Sequence, residues 1–389
     1  LHMPEVFVLG ARRSAIGRFG GGFKDLTPPA LAAPVMQAAL KSAGVGGDQL
    51  DLVIMGNVLR GGHGQLVPRQ AAFLAGIPKH VDALAVDMVC SSGMAAVMTA
   101  ASQIKAGEVD LVLAGGLESM SGAGFALDAQ ARWGWKYAPA GARIVDLMAR
   151  DGLTDPESGD AMGEQTERLI AEEGVSRSEL DLVAAASHQR AAAATDGGAF
   201  AEEIVEVDGV SADEGIRRDT TPASLGSLRP AFRTDGTLTA GNSSQISDGA
   251  AAMVLASARA VNEYGLRPIA KVTGSAWAAG EPYRFPEAPI PAVEKLLKRE
   301  GKSIADFDLF ENNEAFALNT VLFTRRLGVD PDKLNPNGGA IALGHPIGCS
   351  GARILVTLLH ALRHGGGTSG LAAICHGTGG GTVTSLELV

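Results

Sequence analysis

The chain starts a helix the same way twice. Cys90-Ser91-Ser92-Gly93 and Cys349-Ser350-Gly351 lie about 260 residues apart, and the apolar segments around them come in matching order. In the first half, "EVFVLG", "DLVIMGNV", "ALAVDMV" and "VDLVLAGG" read as short strands, "ALAVDMV" as a buried one. Between them lie three helical stretches. These are "DLTPPALAAPVMQAALKSAGV", with Thr27 as N-cap and Gly44 as stop, then "QAAFLAGI", then "SSGMAAVMTAASQIKAG", ending at Gly107. In the second half "IAKVTGSAW", "IPAVEKLLKREG", "DFDLFENNEAF", "GCSGARILVTLLHALRHG" and "GLAAICHG" repeat the alternation, with "DLVLAGG" standing opposite "GLAAICHG". Strands that alternate with helices need helices on their faces, so the prediction is an α/β layered fold built from two similar halves.

The pattern changes between Ser119 and Leu266, where segments such as "MGEQTERLIAEEGVSRSELDLVAAASHQRAAAA" are charged and helical. We expect a first half over 4–118, an inserted loop domain over 119–250 that returns to the first half, and a second half over 251–389. Ligands of α/β folds bind at such loop-covered strand ends.

With 389 residues, 46% of them hydrophobic, the chain can bury a large core. A net charge of −10 disfavours nucleic acid and anionic membrane surfaces as partners. No apolar run reaches the roughly 20 residues of a membrane span. Three cysteines do not make a secreted disulfide framework. "LHMPEVFVLG" has neither a basic n-region nor a transit-peptide composition, and "LHM" reads as a cloning remnant. The expectation is a cytoplasmic protein.

Cys90 stands between an apolar strand and a helix, where free N–H groups and the helix dipole favour a thiolate and lower its pKa. A free cysteine can equally be a small buried hydrophobe. His345 falls in the glycine-dense string "NGGAIALGHPIGCSGAR", where the backbone can approach a ligand and an imidazole can activate a thiol. "FENNEAFAL" offers Asn313, whose amide can orient a water, and Glu314, whose carboxylate can brace a neighbouring element. Read plainly, the same string is a helix start with polar residues. Cys375 and His376 close an apolar run ahead of "GTGGGT". No CxxC pair accompanies them, so no metal site is expected. "GTGGGT" lacks a P-loop lysine, and no GxGxxG follows the first strand.

"VCSSGM", "GGLESMS", "LRPAF", "TAGNSSQISDGAAA", "NNEAFA" and "GGAIALGHPIGCSGAR" occur in an order that resembles the thiolase family of acyl-CoA C-acyltransferases over essentially the whole chain. The resemblance implies the thiolase fold: two duplicated βαβαβαββ halves forming a five-layered αβαβα core, with an inserted loop domain. It assigns Cys90 as the nucleophile that accepts the acyl group, His345 as its activator and Cys375 as the acid/base at the α-carbon. Asn313, through a water, and His345 would form one oxyanion hole, and the N–H groups of Cys90 and Gly377 the other. Met162, Phe232, Ala240, Ser244, Ala315 and Phe316 would line the pantetheine channel, with Arg217 near the adenine. Acyl-CoA and CoA are the implied substrates, no separate cofactor is implied, and the assembly would be a homodimer or homotetramer. A decarboxylating ketoacyl synthase on a similar core and a metal-binding scaffold are the alternatives. A second cysteine at 375 argues against the synthase, which uses one cysteine with two histidines.

Three places depart from the family pattern. Ala161 replaces a histidine before the methionine of "MG", Phe285-Pro286-Glu287 replaces a glycine-rich approach, and His376 and Thr378 alter the string after the acid/base cysteine. Alternation along an extended segment predicts that His376 points away from the site.

Overall fold

The computed structural model describes residues 4–389, and the leading tripeptide read as a cloning remnant lies outside them. The first half contains β1 (Val6–Ser14), α1 (Pro28–Ala43), β2 (Leu52–Gly56), α2 (Val67–Leu74), β3 (Asp82–Val86), α3 (Ser92–Ala106) and β4 (Leu111–Ser119). Its caps are those the sequence predicts: the Thr27 side chain accepts the Ala30 N–H, and Gly44 and Gly107 close their helices in the left-handed region. Two longer helices, α4 (Met162–Glu173) and α5 (Arg177–Asp196), come from the inserted region, and β5 (Ser247–Ser257) returns to the first sheet. The second half contains β6 (Ala270–Ala279), α6 (Pro289–Glu300), β7 (Leu309–Asn312), α7 (Ala317–Leu327), α8 (Ile347–Ala361), β8 (Ser369–His376) and β9 (Gly380–Leu388).

Strand order reveals the duplication. The main path runs β7-β8-β9-β6-β1-β5-β4-β2-β3. Read outward from the middle, each half repeats one plan. Its first strand pairs antiparallel with its last, and the last pairs antiparallel with the strand before it. That strand in turn pairs parallel with the half's second strand. Strand pairing joins the halves at β1 and β6, Phe7 with Lys271 and Val8 with Ala270. "DLVLAGG" and "GLAAICHG" become β4 and β8, equivalent strands of the two halves. "ALAVDMV" differs from expectation: it forms β3, a partly exposed strand with Leu84 39% exposed. It ends the strand order with β2 as its one neighbour, so only one side is covered.

Three apolar clusters create the layers. α1 and α2 cover one face of the first half's strands, α6 and α7 one face of the second half's, and α3 and α8 share the cluster between the two halves. At the centre Gly93 abuts Ala352 while Gly351 abuts Met94, so each helix presents its glycine to the other. Such reciprocity is what a local two-fold axis imposes. A Cβ on either glycine would fall under 3.0 Å from facing backbone, so the close crossing requires both. α4 and α5 pack into the α6–α7 cluster over the second half.

Candidate active site

Cys90 is reached through a strained turn. Val89, a β-branched residue, has φ +49°, which costs of order 1–3 kcal/mol and is held by its neighbours. Ser92 Oγ accepts the Met88 N–H at 2.8 Å and donates to the Val89 carbonyl, while Asp87 accepts the Val89 N–H at 3.1 Å. Cys90 is left partly exposed two residues before α3, beside a small cluster that includes Ile347. Cys349 lies in the first turn of α8 and is fully buried, because α8 begins about one turn earlier than α3 relative to the facing glycines.

Ser91 Oγ donates to the Ile374 carbonyl at 3.4 Å and Val89 lies against Gly377, which brings the end of β8 to Cys90 and lets the Gly377 N–H favour its anion. The expected lowering of the Cys90 pKa is not what the site produces. Burial pushes the thiol up to about 12 against the pull of the Gly377 N–H and its own. The physical reason is that loss of water disfavours the anion more than two N–H dipoles restore it. Cys375 sits close enough to Cys90 for the charges to interact, and burial first, then Cys90, pushes its thiol above the ordinary value. It accepts an N–H from the Asn319 amide at 3.2 Å.

His345 is buried, and burial together with the Arg353 guanidinium pushes its pKa down to about 3, so it is neutral at pH 7. Its tautomer follows from Ser350. The Ser350 hydroxyl donates to the Pro346 carbonyl at 3.1 Å, so its oxygen receives the Nδ1–H of His345. Nε2 then carries the lone pair and has no partner among the described residues. A neutral imidazole with Nε2 free is a general base. The Asn313 amide nitrogen lies 3.5 Å from Nδ1, and its Oδ1 is buried without a partner among the described residues.

The loops are held by buried carboxylates. Glu314 accepts from Ser187 Oγ at 2.7 Å, Ile341 N–H at 3.2 Å and Asn335 Nδ2 at 3.3 Å, bracing Asn313 against α5 and the loop ahead of His345. Glu118 accepts N–H groups from Val58, Leu59 and Gly348 at 3.0–3.1 Å, tying the first half to the start of α8. Burial raises its pKa to about 7. Sequence reasoning assigned no role to Glu118, Ser350 or Asn319. An acid inside the apolar strand that ends "GGLES" was the available signal for the first, because a buried carboxylate needs several donors.

Beside Gly377 lies Met162, whose sulfur would stand 3.2 Å from a Cβ there. Met162 shares the apolar cluster of Cys375 with Ala315, Phe232 and Phe316, the two rings edge to face at 6.0 Å, and the Ala315 carbonyl accepts the Ser244 N–H at 3.0 Å. Ala240 is exposed on the turn just before Gly241. Arg217 is exposed too, its N–H donating to His188 Nδ1 at 3.0 Å. At the departures, Ala161 caps α4 without a side-chain hydrogen bond, and Phe285 is buried edge-on against Phe316 at 6.2 Å. Glu287 pairs with Arg284 and Arg326, and Pro286 offers its carbonyl to Asn319. His376 donates its Nδ1–H to the Gly377 carbonyl and lays its ring over Gly380, on the opposite face of β8 from Cys375. Thr378 has φ +72°, a strained setting for a β-branched residue.

Two cysteines and a neutral imidazole at the meeting of duplicated α/β halves define an enzyme of covalent acyl transfer through a thiol. The comparisons narrow the class. The family description "Thiolase, N-terminal domain" matches residues 6–259 and "Thiolase, C-terminal domain" residues 266–388, so the chain belongs to the thiolase family and is an acyl-CoA C-acyltransferase. It is 60% identical to the acetyl-CoA acetyltransferase of Synechocystis sp., covering 100% of both chains, and 42% identical to that of Escherichia coli, covering 99% of both. The crystal structure of the Bacillus anthracis acetyl-CoA acetyltransferase superposes with a TM-score of 0.96 at 40% identity, covering 100% of this chain and 99% of that one. These matches favour neither the decarboxylating synthase nor the metal-binding scaffold.

Proposed function

We propose that the protein reversibly condenses two molecules of acetyl-CoA to acetoacetyl-CoA and CoA. The observation that carries the proposal is the meeting of the Cys90 turn with the end of β8, Ser91 Oγ on the Ile374 carbonyl and Val89 against Gly377, which sets Cys375 beside Cys90. In this reading Cys90 rests as a thiol and gives its proton to His345 Nε2 as it attacks the thioester, and His345 returns the proton to the departing CoA thiolate. The N–H groups of Cys90 and Gly377 receive the thioester oxygen of the acyl-enzyme. A water held by Asn313 donates to the enolate oxygen in the hole it shares with His345, whose own Nε2 donates only while it is protonated, and preoriented donors of this kind contribute roughly 3 kcal/mol each. Cys375 takes the α-proton of the second acetyl-CoA.

Met162, Phe232, Ala240, Ser244, Ala315 and Phe316 form the pantetheine channel and Arg217 meets the adenine end, with CoA as substrate and no other cofactor. A short acyl group is supported by the names of the relatives and by the Phe232–Phe316–Phe285 stack beside the thiols. Among the described residues no helix is long and apolar enough to cross a membrane, which supports the cytoplasm as its place. Assembly as a homotetramer is supported by a hairpin, Phe125–Leu127 paired with Ile144–Asp146, that leaves Phe125, Trp133, Tyr137 and Ile144 69–85% exposed.

The test is Cys375→Ala. It should be acetylated at Cys90 by acetyl-CoA, seen as a mass increase, yet form no acetoacetyl-CoA. Condensation at the wild-type rate would remove Cys375 from the mechanism.

A further inference from the structure

Asn319 lies in the first turn of α7, 1% exposed, with its Oδ1 accepting the Phe316 N–H at 2.9 Å. A backbone N–H can only face the oxygen of the amide, so this bond fixes which way the group is turned. Nδ2 consequently faces inward, donating to the Pro286 carbonyl at 3.1 Å and to Cys375 Sγ at 3.2 Å. Capping the helix requires Oδ1 alone. The two Nδ2 bonds are additional, and they place both amide protons on named acceptors.

The Pro286 carbonyl is itself held in place. Phe285 is buried against Phe316, and Glu287 is gripped by Arg284 and Arg326, which also pair with Glu173 at the end of α4. The segment that departs from the family pattern therefore delivers a fixed acceptor that keeps the Asn319 amide in register with the sulfur.

We propose that Asn319 is a positioning residue for Cys375, its Pro286-oriented N–H stabilising the thiolate that removes the α-proton. The inference rests on the role given to Cys375 above. Burial and Cys90 oppose the anion there, and the donors that favour it are Asn319 and the Cys375 backbone. In the condensation step the α-C–H bond breaks, its electron pair remains as the enolate, and the proton passes to Cys375 Sγ. The enolate carbon then bonds the acetyl carbon, the bond to Cys90 breaks, and the Cys90 thiolate takes the proton from Cys375. The reacting fraction of the enzyme carries Cys375 as the thiolate, the cycle regenerates that form, and the Asn319 bond serves it at both ends.

The experiment compares the two half-reactions in full-length Asn319→Asp, which keeps the oxygen that caps Phe316 and removes the donor facing sulfur. Acetylation of Cys90 should stay within about threefold of wild type. Condensation onto the acetylated enzyme should slow about tenfold at pH 7, with its alkaline midpoint raised by about one unit. Should the buried carboxylate prevent folding, Asn319→Ser, whose hydroxyl can still accept the Phe316 N–H, carries the same expectation. An unchanged midpoint, or equal loss in both half-reactions, would mean that Asn319 serves packing only. If Cys375→Ala itself condenses normally, the role of Cys375 fails and this inference with it. If Cys375→Ala is inert while the Asn319 variants keep the wild-type midpoint, only the inference fails.

Discussion

The two halves share one strand plan and opposite helix starts, and the difference between Cys90 and Cys349 shows how a duplicated fold leaves one of two matching cysteines accessible. Around α3 the turn through Val89 leaves Cys90 outside the helix and partly exposed. Around α8 the helix begins about one turn earlier and takes its cysteine inside, where it is a core residue. In exchange the second half supplies His345 just before α8, with Ser350 of its first turn setting the tautomer. A few residues of helix length separate an accessible thiol from a packed one.

The largest test of that contrast is to remove each cysteine. Cys90→Ala should lower thiolysis of acetoacetyl-CoA by roughly 10⁴-fold or more and leave no acyl-enzyme by mass. Cys349→Ala should stay within about twofold in rate and lower stability by about 1 kcal/mol in urea unfolding. Comparable loss of rate in both would break the distinction.

A smaller effect tests the symmetry. In Gly93→Ala the new carbon would sit 2.7 Å from Ala352 N, and in Gly351→Ala closer still to Met94 N. Each should destabilise by about 1–3 kcal/mol, and the double variant should lose less than the sum, because the helices need separate only once. Strictly additive losses would contradict a shared crossing.

The smallest separates the halves by pH. Glu118 keeps its proton up to about 7 when folded, above the ordinary 4.5, so its contribution to stability falls as pH rises through that window. His345 is charged only below about 3 when folded, against an ordinary 6.5, so its contribution falls as pH drops from 6.5. His345→Asn should therefore gain on wild type as the solution is acidified from pH 6.5, by at most about 1.4 kcal/mol per unit. Parallel urea midpoints for the two proteins across that range would place the imidazole in water.

Much was legible before any coordinates. Apolar periodicity and caps at Thr27, Gly44 and Gly107 are local, and they emerged where the sequence puts them. The strings around Cys90, Asn313, His345 and Cys375 named the thiolase family, because glycines and polar residues at such spacing are rare outside a shared site. The exposure of β3 was not legible, since an edge strand and a central one differ in neighbours and not in composition.

By itself the sequence determined which groups could act and in what order along the chain they occur, because chemistry belongs to side chains and turns belong to local dihedrals. Only the tertiary structure decided what those groups are. It made Cys90 a thiol instead of a thiolate, His345 a neutral base, Glu118 a tie between halves and Asn319 a partner of sulfur. Each of those properties depends on water removed and donors aimed from residues distant in the chain, and neither quantity is written in any local stretch.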